Sequence, residues 1–343
     1  MPSVLLVDDS VLARVLLQQR FRRHGWQVKW ARDGMEALGQ WQDEVPDLIT
    51  MDVEMPRLGG VEAVRRLRQE GYRGPLIMLS SYTRSGAEVT LEALAAGADD
   101  FVLKPSSPGE LDEAVARLVE KWEALVNVHP AREDTAGPPG RSEVLDPSRV
   151  RCWCLVASTG GPRALTELFR GAPRPPVPVV VVQHMPPGFT QAFSQRLSRE
   201  AGFEVREVTA DGRPCGLAEA PAWLAPGGRH LRLTASTVWA EEGPRRHGVI
   251  PAADVTLEDA VGAFGGHLGV LVLTGMGEDG AEGALQAHRR GAIVIAEDPS
   301  TAVVWGMPRA VVECGAADAV WPLPTIRRWL HAAWGVPAGG RRQ

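Results

Sequence analysis

Apolar residues along this chain follow two rhythms. Short runs, Val4 to Val7, Gln27 to Ala31, Asp47 to Met51, Leu76 to Leu79 and Phe101 to Leu103, alternate with stretches where apolar residues recur at helical spacing. Val11, Leu12, Val15 and Leu16 do so after a Ser10 cap, and Val61, Val64 and Leu67 do so later. Continuous apolar runs suit strands covered on both faces, and helices between them predict an open parallel sheet. The first part of the chain is therefore expected to be a five-stranded, doubly wound α/β unit. The rhythm fades after Trp122, where His129-Pro130, Gly137-Pro138-Pro139-Gly140 and mixed charges are too poor in apolar residues to fold alone.

It resumes with a strand from Arg151 to Ala157 and a helix from Pro162 to Phe169. A strand from Pro178 to Gln183, a helix from Phe189 to Ala201 and a strand from Glu204 to Val208 follow. Trp223-Leu224-Ala225 and His230 to Leu233, flanking Pro226-Gly227-Gly228, predict a hairpin. A helix near Val255 to Phe264, a strand from Leu268 to Thr274, a glycine-rich loop, a helix to Arg290 and a strand from Ala292 to Ala296 complete a second doubly wound parallel sheet. The expected division is 1–122, a flexible linker at 123–149, a second domain at 150–334 and a tail at 335–343.

Composition narrows the function classes. A net charge of -5 over 343 residues gives no footing for nucleic acid, and no apolar run reaches the length of a membrane span. Met1-Pro2-Ser3 lacks a basic start and reads as the lead-in to a first strand, so the expected compartment is the cytoplasm. Cys152, Cys154, Cys215 and Cys314 lack Cys-x-x-Cys spacing and read as reduced packing residues.

In open parallel sheets the functional residues gather at the carboxyl ends of strands. In the first half those ends carry Asp8 and Asp9, Asp52, Ser80, and Lys104-Pro105. Three converging carboxylates repel unless a cation joins them, and a hard divalent ion such as magnesium suits oxygen ligands. A carboxylate held beside magnesium and a lysine can accept a phosphoryl group, because both cations offset the charge of the transferred oxygens.

The second half supports two readings. Residues 275–280 match G-x-G-x-x-G between a strand and a helix, and Glu297-Asp298 follow at the distance where a dinucleotide site keeps its ribose-binding acid. That pattern points to an oxidoreductase. Alternatively Ser158, at a strand-to-helix turn, joins His184 and Asp279 at neighbouring strand ends as nucleophile, base and orienting acid. The glycines would then let backbone amides such as that of Met276 approach an oxyanion. His230, His247, His267 and His288 have no evident partners and read as structural.

Leu5-Leu6-Val7-Asp8-Asp9-Ser10, Met51-Asp52-Val53-Glu54-Met55-Pro56 and Lys104-Pro105 resemble the receiver domain of two-component response regulators. The resemblance implies Asp52 as phosphoacceptor, with a histidine kinase as phosphodonor. It further implies magnesium held by Asp8, Asp9, Asp52 and the Glu54 carbonyl, Lys104 on the phosphoryl group, and Ser80 and Phe101 as switch residues. Ser158-Thr159-Gly160-Gly161, Gln183-His184-Met185-Pro186, Ala225-Pro226-Gly227, Leu273-Thr274-Gly275-Met276-Gly277 with Asp279-Gly280, and Gly306-Met307-Pro308 resemble the catalytic domain of the chemotaxis protein-glutamate methylesterase family.

This second resemblance implies the Ser158, His184, Asp279 triad, with Thr159 nearby, the Met276 amide in the oxyanion hole, and no cofactor for the esterase. The substrates it implies are methylated glutamates on the cytoplasmic domains of chemoreceptors, releasing methanol, with glutamine deamidation as a related activity. The receiver is expected to pack near the Ser158 crevice until Asp52 is phosphorylated. Pro251-Ala252-Ala253-Asp254 departs from the family's Pro-Ser-Val-Asp, which is expected to bear on receptor recognition more than on chemistry. A dinucleotide-dependent oxidoreductase and a non-catalytic receptor-binding adaptor are the alternatives.

Overall fold

A computed structural model of the protein describes residues 1–127 and 145–335. The chain divides into two compact units, the first spanning Met1–Asn127. In it β1 (Ser3–Val7), α1 (Val11–Arg23), β2 (Gln27–Ala31), α2 (Gly34–Gln40), β3 (Leu48–Asp52), α3 (Gly60–Gln69), β4 (Leu76–Ser80), α4 (Arg84–Ala96), β5 (Asp100–Leu103) and α5 (Leu111–Val126) alternate. The strands form one parallel sheet in the order β2-β1-β3-β4-β5. Every residue of β3 and β4 is buried, as their mainly apolar sequences require, with the polar Asp52 and Ser80 at their carboxyl ends.

Local chemistry sets the helix starts. The Ser10 hydroxyl accepts the Ala13 N–H at the head of α1, and the Thr83 hydroxyl accepts the Gly86 N–H at the head of α4. At its far end α5 runs on to Val126, into the stretch expected to be linker. Trp122, the last residue before that stretch, packs edge-on against Trp26, with ring centroids 4.6 Å apart, and its indole N–H reaches the Asp47 carbonyl. The rest of the expected linker up to residue 144, and the tail from 336, lie outside the described residues.

The second unit holds β6 (Cys152–Ala157), α6 (Gly161–Phe169), β7 (Val179–Gln183), α7 (Phe189–Ala201), β8 (Val205–Glu207), β9 (Cys215–Gly216), β10 (Ala222–Leu224), β11 (His230–Leu233) and β12 (Thr237–Glu241). It continues with α8 (Ala253–Phe264), β13 (Leu268–Val272), α9 (Ala281–Arg289), β14 (Ile293–Glu297), α10 (Met307–Glu313), β15 (Ala319–Trp321) and α11 (Leu323–Trp334). Its parallel sheet runs β15-β14-β13-β6-β7-β10-β8. The order reverses at β6, which pairs with β7 on one side and β13 on the other, so a crevice opens at their carboxyl ends.

Packing makes that centre rigid. Trp153 on β6 is fully buried and lies in register with Gly269 on β13, where any side chain would strike the indole ring. On its open side Trp153 packs edge-on against Trp329 of α11.

The hairpin expected between Trp223 and Leu233 does not form. β10 is buried at all three positions and pairs in parallel with β7 and β8, so it belongs to the main sheet. Its residues Ala222, Trp223 and Leu224 lack polar alternation, which is the mark of an interior strand. The hairpin is instead β11 with β12, turning at Thr234 to Ser236, in a separate three-stranded sheet ordered β11-β12-β9. The Thr234 hydroxyl accepts the N–H groups of Ser236 and Thr237, an ordinary turn device.

Candidate active site and phosphoacceptor site

In the first unit β1 ends before Asp8, the neighbouring β3 ends on Asp52, and Lys104 follows β5, with β4 between, so three strands of the sheet deliver charged groups to its carboxyl end. The Lys104 ammonium lies 2.6 Å from Asp52 Oδ2 and 2.9 Å from Asp8 Oδ2. Asp8 and Asp52 are buried and Asp9 is exposed. Burial pushes the Asp52 carboxyl above the usual carboxylate range, more than Lys104 draws it down. Burial also works against the Lys104 ammonium, but Asp52 and Asp8 outweigh it and hold that group above its ordinary value.

One carboxylate oxygen from each of Asp8, Asp9 and Asp52 lies within 4.8 Å of the others. Asp8 Oδ2 is buried with no hydrogen bond of good geometry, although the Lys104 charge is beside it. An acceptor-rich cluster with a spare buried oxygen fits a hard divalent cation such as magnesium. The Glu54 N–H donates to the Asp52 carboxylate, and its side chain points to solvent. Ser80 is fully buried at the end of β4, where its Oγ accepts the Thr90 hydroxyl at 2.6 Å. Phe101 is buried on the neighbouring strand.

In the second unit Ser158 follows β6, His184 follows β7 and Asp279 lies between β13 and α9. His184 Nε2 is 2.7 Å from Asp279 Oδ2. Asp279 is 2 % exposed and also accepts the backbone N–H groups of Ala253 at 2.6 Å and Asp254 at 3.0 Å. Burial raises the Asp279 carboxyl, but the histidine and these amides prevail and hold it below the ordinary value. With Nε2 committed to Asp279, Nδ1 is the nitrogen left to receive a proton, the reverse of the ring usage in serine proteases.

Ser158 sits in a turn tied to both neighbours. Its N–H donates to the Thr274 carbonyl at 3.0 Å, and its carbonyl accepts the Gly161 N–H at 2.8 Å. Gly160 adopts φ 77°, the left-handed conformation that glycine takes without strain. Gln183 Nε2 donates to both the Ser158 carbonyl at 2.9 Å and the His184 carbonyl at 3.1 Å, joining the serine turn to the histidine loop. Thr159 is buried, and its carbonyl accepts the Thr274 hydroxyl at 2.9 Å. Met276 is half-buried in the loop that leads on to Asp279.

Several participants carried no sequence signal beyond residue type. Asp254, at the start of α8, gives its N–H to Asp279, while its own Oδ1 accepts the Gly283 N–H at 2.7 Å in the first turn of α9. The two aspartates therefore cap each other's helices. Burial, with Asp279 adding to it, pushes the Asp254 carboxyl up.

The histidines read as partnerless all have partners. His247 Nε2 lies 2.8 Å from Asp254 Oδ2, His230 meets the Ala252 N–H and the Pro244 carbonyl, His267 meets the Arg149 carbonyl, and His288 pairs with Asp318. The 251–254 departure also falls elsewhere than expected. Ala252 and Ala253 are fully buried, so the departure forms no exposed recognition surface, and the Ala253 contact to the triad carboxylate is a main-chain N–H that does not depend on the residue type there.

Both members of the acidic pair expected to serve the glycine loop at 275–280 are engaged within the protein. Glu297 is fully buried and turned inward, accepting the Thr274 N–H and the Thr301 hydroxyl. Asp298, half-buried, accepts the Ser300 N–H at 2.9 Å, so a dinucleotide loses the Glu297 contact and would have to compete for Asp298. Among the described residues, no helix is long and apolar enough to cross a membrane.

A family model described as CheB methylesterase matches residues 153–330, and one described as response regulator receiver domain matches residues 4–116. The chain is 40% identical over 354 residues to a protein-glutamate methylesterase/protein-glutamine glutaminase of Symbiobacterium thermophilum, covering 97% of each. It is 36% identical over 361 residues to the enzyme of that name from Pyrococcus abyssi, covering 98% of this chain and 95% of that one. The crystal structure of the Thermotoga maritima CheB methylesterase catalytic domain is 38% identical, with a TM-score of 0.50, and covers 53% of this chain and 98% of that one.

Proposed function

This chain belongs to the CheB methylesterase family and carries a response regulator receiver domain, and from that premise we propose how its own residues perform and regulate the hydrolysis. The protein is a protein-glutamate methylesterase/protein-glutamine glutaminase, a hydrolase of chemotaxis adaptation under receiver control. Its substrates are methylated glutamates on the cytoplasmic domains of chemoreceptors, and it acts in the cytoplasm.

Ser158 Oγ attacks the ester carbonyl, and His184 takes the serine proton through Nδ1 while Nε2–H stays bonded to Asp279. The imidazolium that forms is stabilised by a carboxylate that two backbone amides hold in place and, with the histidine, keep ionised against the effect of burial. The Met276 amide, with Thr159 nearby, faces the developing oxyanion. Methanol leaves with the proton from His184, and water then releases the glutamate by the same route. On a glutamine side chain the leaving group is ammonia. No cofactor enters these steps.

The observation that carries this reading is the buried His184–Asp279 pair, coupled to the serine turn through Gln183. The relatives are named as enzymes, which leaves a binding-only adaptor without support.

In the receiver, Asp52 accepts a phosphoryl group from a histidine kinase, and Lys104 balances the added charge from its place beside Asp52. Asp8, Asp9, Asp52 and the Glu54 carbonyl would hold magnesium, which when bound offsets charge on the phosphoryl oxygens. Ser80 and Phe101 respond to the phosphoryl group.

Methanol release from a methylated chemoreceptor preparation tests both halves. Release that vanishes in Ser158→Ala, and that rises with a small phosphodonor in wild type but not in Asp52→Ala, is expected. Turnover retained by Ser158→Ala would remove the serine mechanism, and a phosphodonor response retained by Asp52→Ala would remove the assigned phosphoacceptor.

A further inference from the structure

The ladder between β13 and β14 ends at Val272 and Ala296, and the chain beyond β13 must find other partners on its β14 side. Leu273 still donates its N–H to Val156 on β6, whereas the Thr274 N–H points towards β14 and meets Glu297 Oε2 at 2.8 Å. A side chain thus takes over where the main-chain pairing stops. Glu297 Oε1 in turn accepts the Thr301 hydroxyl at 2.9 Å, and the side chain has no solvent exposure.

Thr274 is where the two halves of the reacting centre are joined. Its carbonyl accepts the Ser158 N–H, its hydroxyl donates to the Thr159 carbonyl and accepts the Val304 N–H at 2.9 Å, and the next residue opens the loop bearing Met276. Gly275 packs so closely on Ser158 that an added Cβ would lie 2.9 Å from the serine Cβ. A small rotation at Thr274 would therefore move the nucleophile and the oxyanion donor relative to each other.

We propose that Glu297 is a positioning residue for the methylesterase reaction, holding the Thr274 N–H so that the serine turn and the Met276 loop keep one register. This rests on the reading of Ser158 as nucleophile. Glu297 touches no reacting atom and acts through Thr274 alone.

The chemistry at the site indicates which replacements should work. Burial pushes the Glu297 carboxyl up to about 7, with Glu167 and Asp298 as the charged groups bearing on it. In the acid form Oε2 still accepts the Thr274 N–H, while Oε1–H turns to the Thr301 hydroxyl, which has the Asp298 carbonyl within 3.4 Å as its own acceptor. An amide can make the same two contacts, and an aliphatic side chain of similar volume can make neither.

The test is methanol release from a methylated chemoreceptor preparation by the full chain as wild type, Glu297→Gln, Glu297→Leu, Thr301→Val and Ser158→Ala. Protection of buried Cys152 and Cys154 from thiol reagent reports folding. Glu297→Leu is expected to lower kcat by about 10- to 100-fold with KM changed by less than about threefold, while Glu297→Gln keeps kcat within about threefold, as misplacement without lost binding predicts. A folded Glu297→Leu with wild-type kcat overturns the proposal, as does an equal loss in Glu297→Gln.

Should Glu297→Leu leave the thiols unprotected, Thr301→Val decides once its own thiols prove protected, because it keeps Glu297 and removes the hydroxyl that orients the carboxyl and also accepts the Leu323 N–H. A kcat lowered by about threefold to tenfold at unchanged KM supports the proposal, and wild-type kcat overturns it. Inactive Ser158→Ala beside wild-type-like Glu297 variants rejects this inference alone. Active Ser158→Ala rejects the nucleophile and this inference with it.

Discussion

Glu297 also makes a sharp demand on stability. Its folded-state carboxyl titrates at about 7, against 4.5 for the free side chain, because burial disfavours the charged form. Below pH 4.5 both folded and unfolded chains hold the proton. Between 4.5 and 7 only the folded chain holds it, so raising the pH favours unfolding by about 1.4 kcal/mol per pH unit. Above 7 both have lost it and the contribution is constant. Stability is thus fully present below the unfolded value and is lost as the pH passes the folded one, a total of about 3 kcal/mol. With no exposure at all, the side chain needs no discount for solvent screening.

Glu297→Gln removes this proton and leaves the other titrations in place, so the wild-type-minus-variant difference isolates it. The four cysteines all lie beyond residue 150, and Cys152 and Cys154 are buried in β6. Their labelling during urea titration therefore reads the catalytic unit alone. From about pH 5 to 7 the stability of wild type relative to Glu297→Gln should fall, by most of about 3 kcal/mol, and level off towards about pH 8. Parallel pH profiles, differing by less than about 0.5 kcal/mol across the range, would mean that the carboxyl stays ionised when folded and would refute the reasoning.

Three further outcomes follow from the same geometry. Gln183→Leu leaves two carbonyls without their shared donor and should lower kcat about tenfold or more at near-constant KM, read by methanol release. Asp254→Ala removes the cap from α9 and should cost about 1–2 kcal/mol in the thiol-labelled urea transition; a change below about 0.5 kcal/mol would show that the cap contributes little. Lys104→Met removes the cation competing for Asp8 and Asp52, so magnesium should bind about threefold or more tightly by calorimetry; weaker binding would instead make Lys104 the organiser of those carboxylates.

The loops of the candidate site were legible because their strands are. β6, β7 and β13 are buried along their whole length, and that environment writes unbroken apolar runs into the sequence. Strand ends then locate Ser158, His184 and the run to Asp279 without knowledge of how helices pack. β10 was less legible, since three buried residues beside a Pro-Gly-Gly segment look alike in a hairpin and in an interior strand. α11 could have been found from Leu323, Ile326, Leu330 and Trp334, which are buried at helical spacing. The role of Glu297 could not, because its position after a strand matches a ribose-binding acid as well as it matches an inward brace.

What sequence hides most completely is contact made by the backbone. Ala253 and Asp254 hold Asp279 through amides that every residue except proline possesses, so no side-chain pattern announces them. The N-terminus of α8, capped at Ala252 by no side chain, finds its acceptor in Asp279, and the N-terminus of α9 finds its own in Asp254. Each carboxylate thus meets the positive end of the other's helix. One consequence is that Asp279 cannot turn away from α8 without exposing two amide donors, so its orientation towards His184 is set by helix capping as well as by the histidine. The exchange explains why an alanine pair is accommodated at 252 and 253: the bond to the triad comes from the main chain, and the buried side chains need only be small.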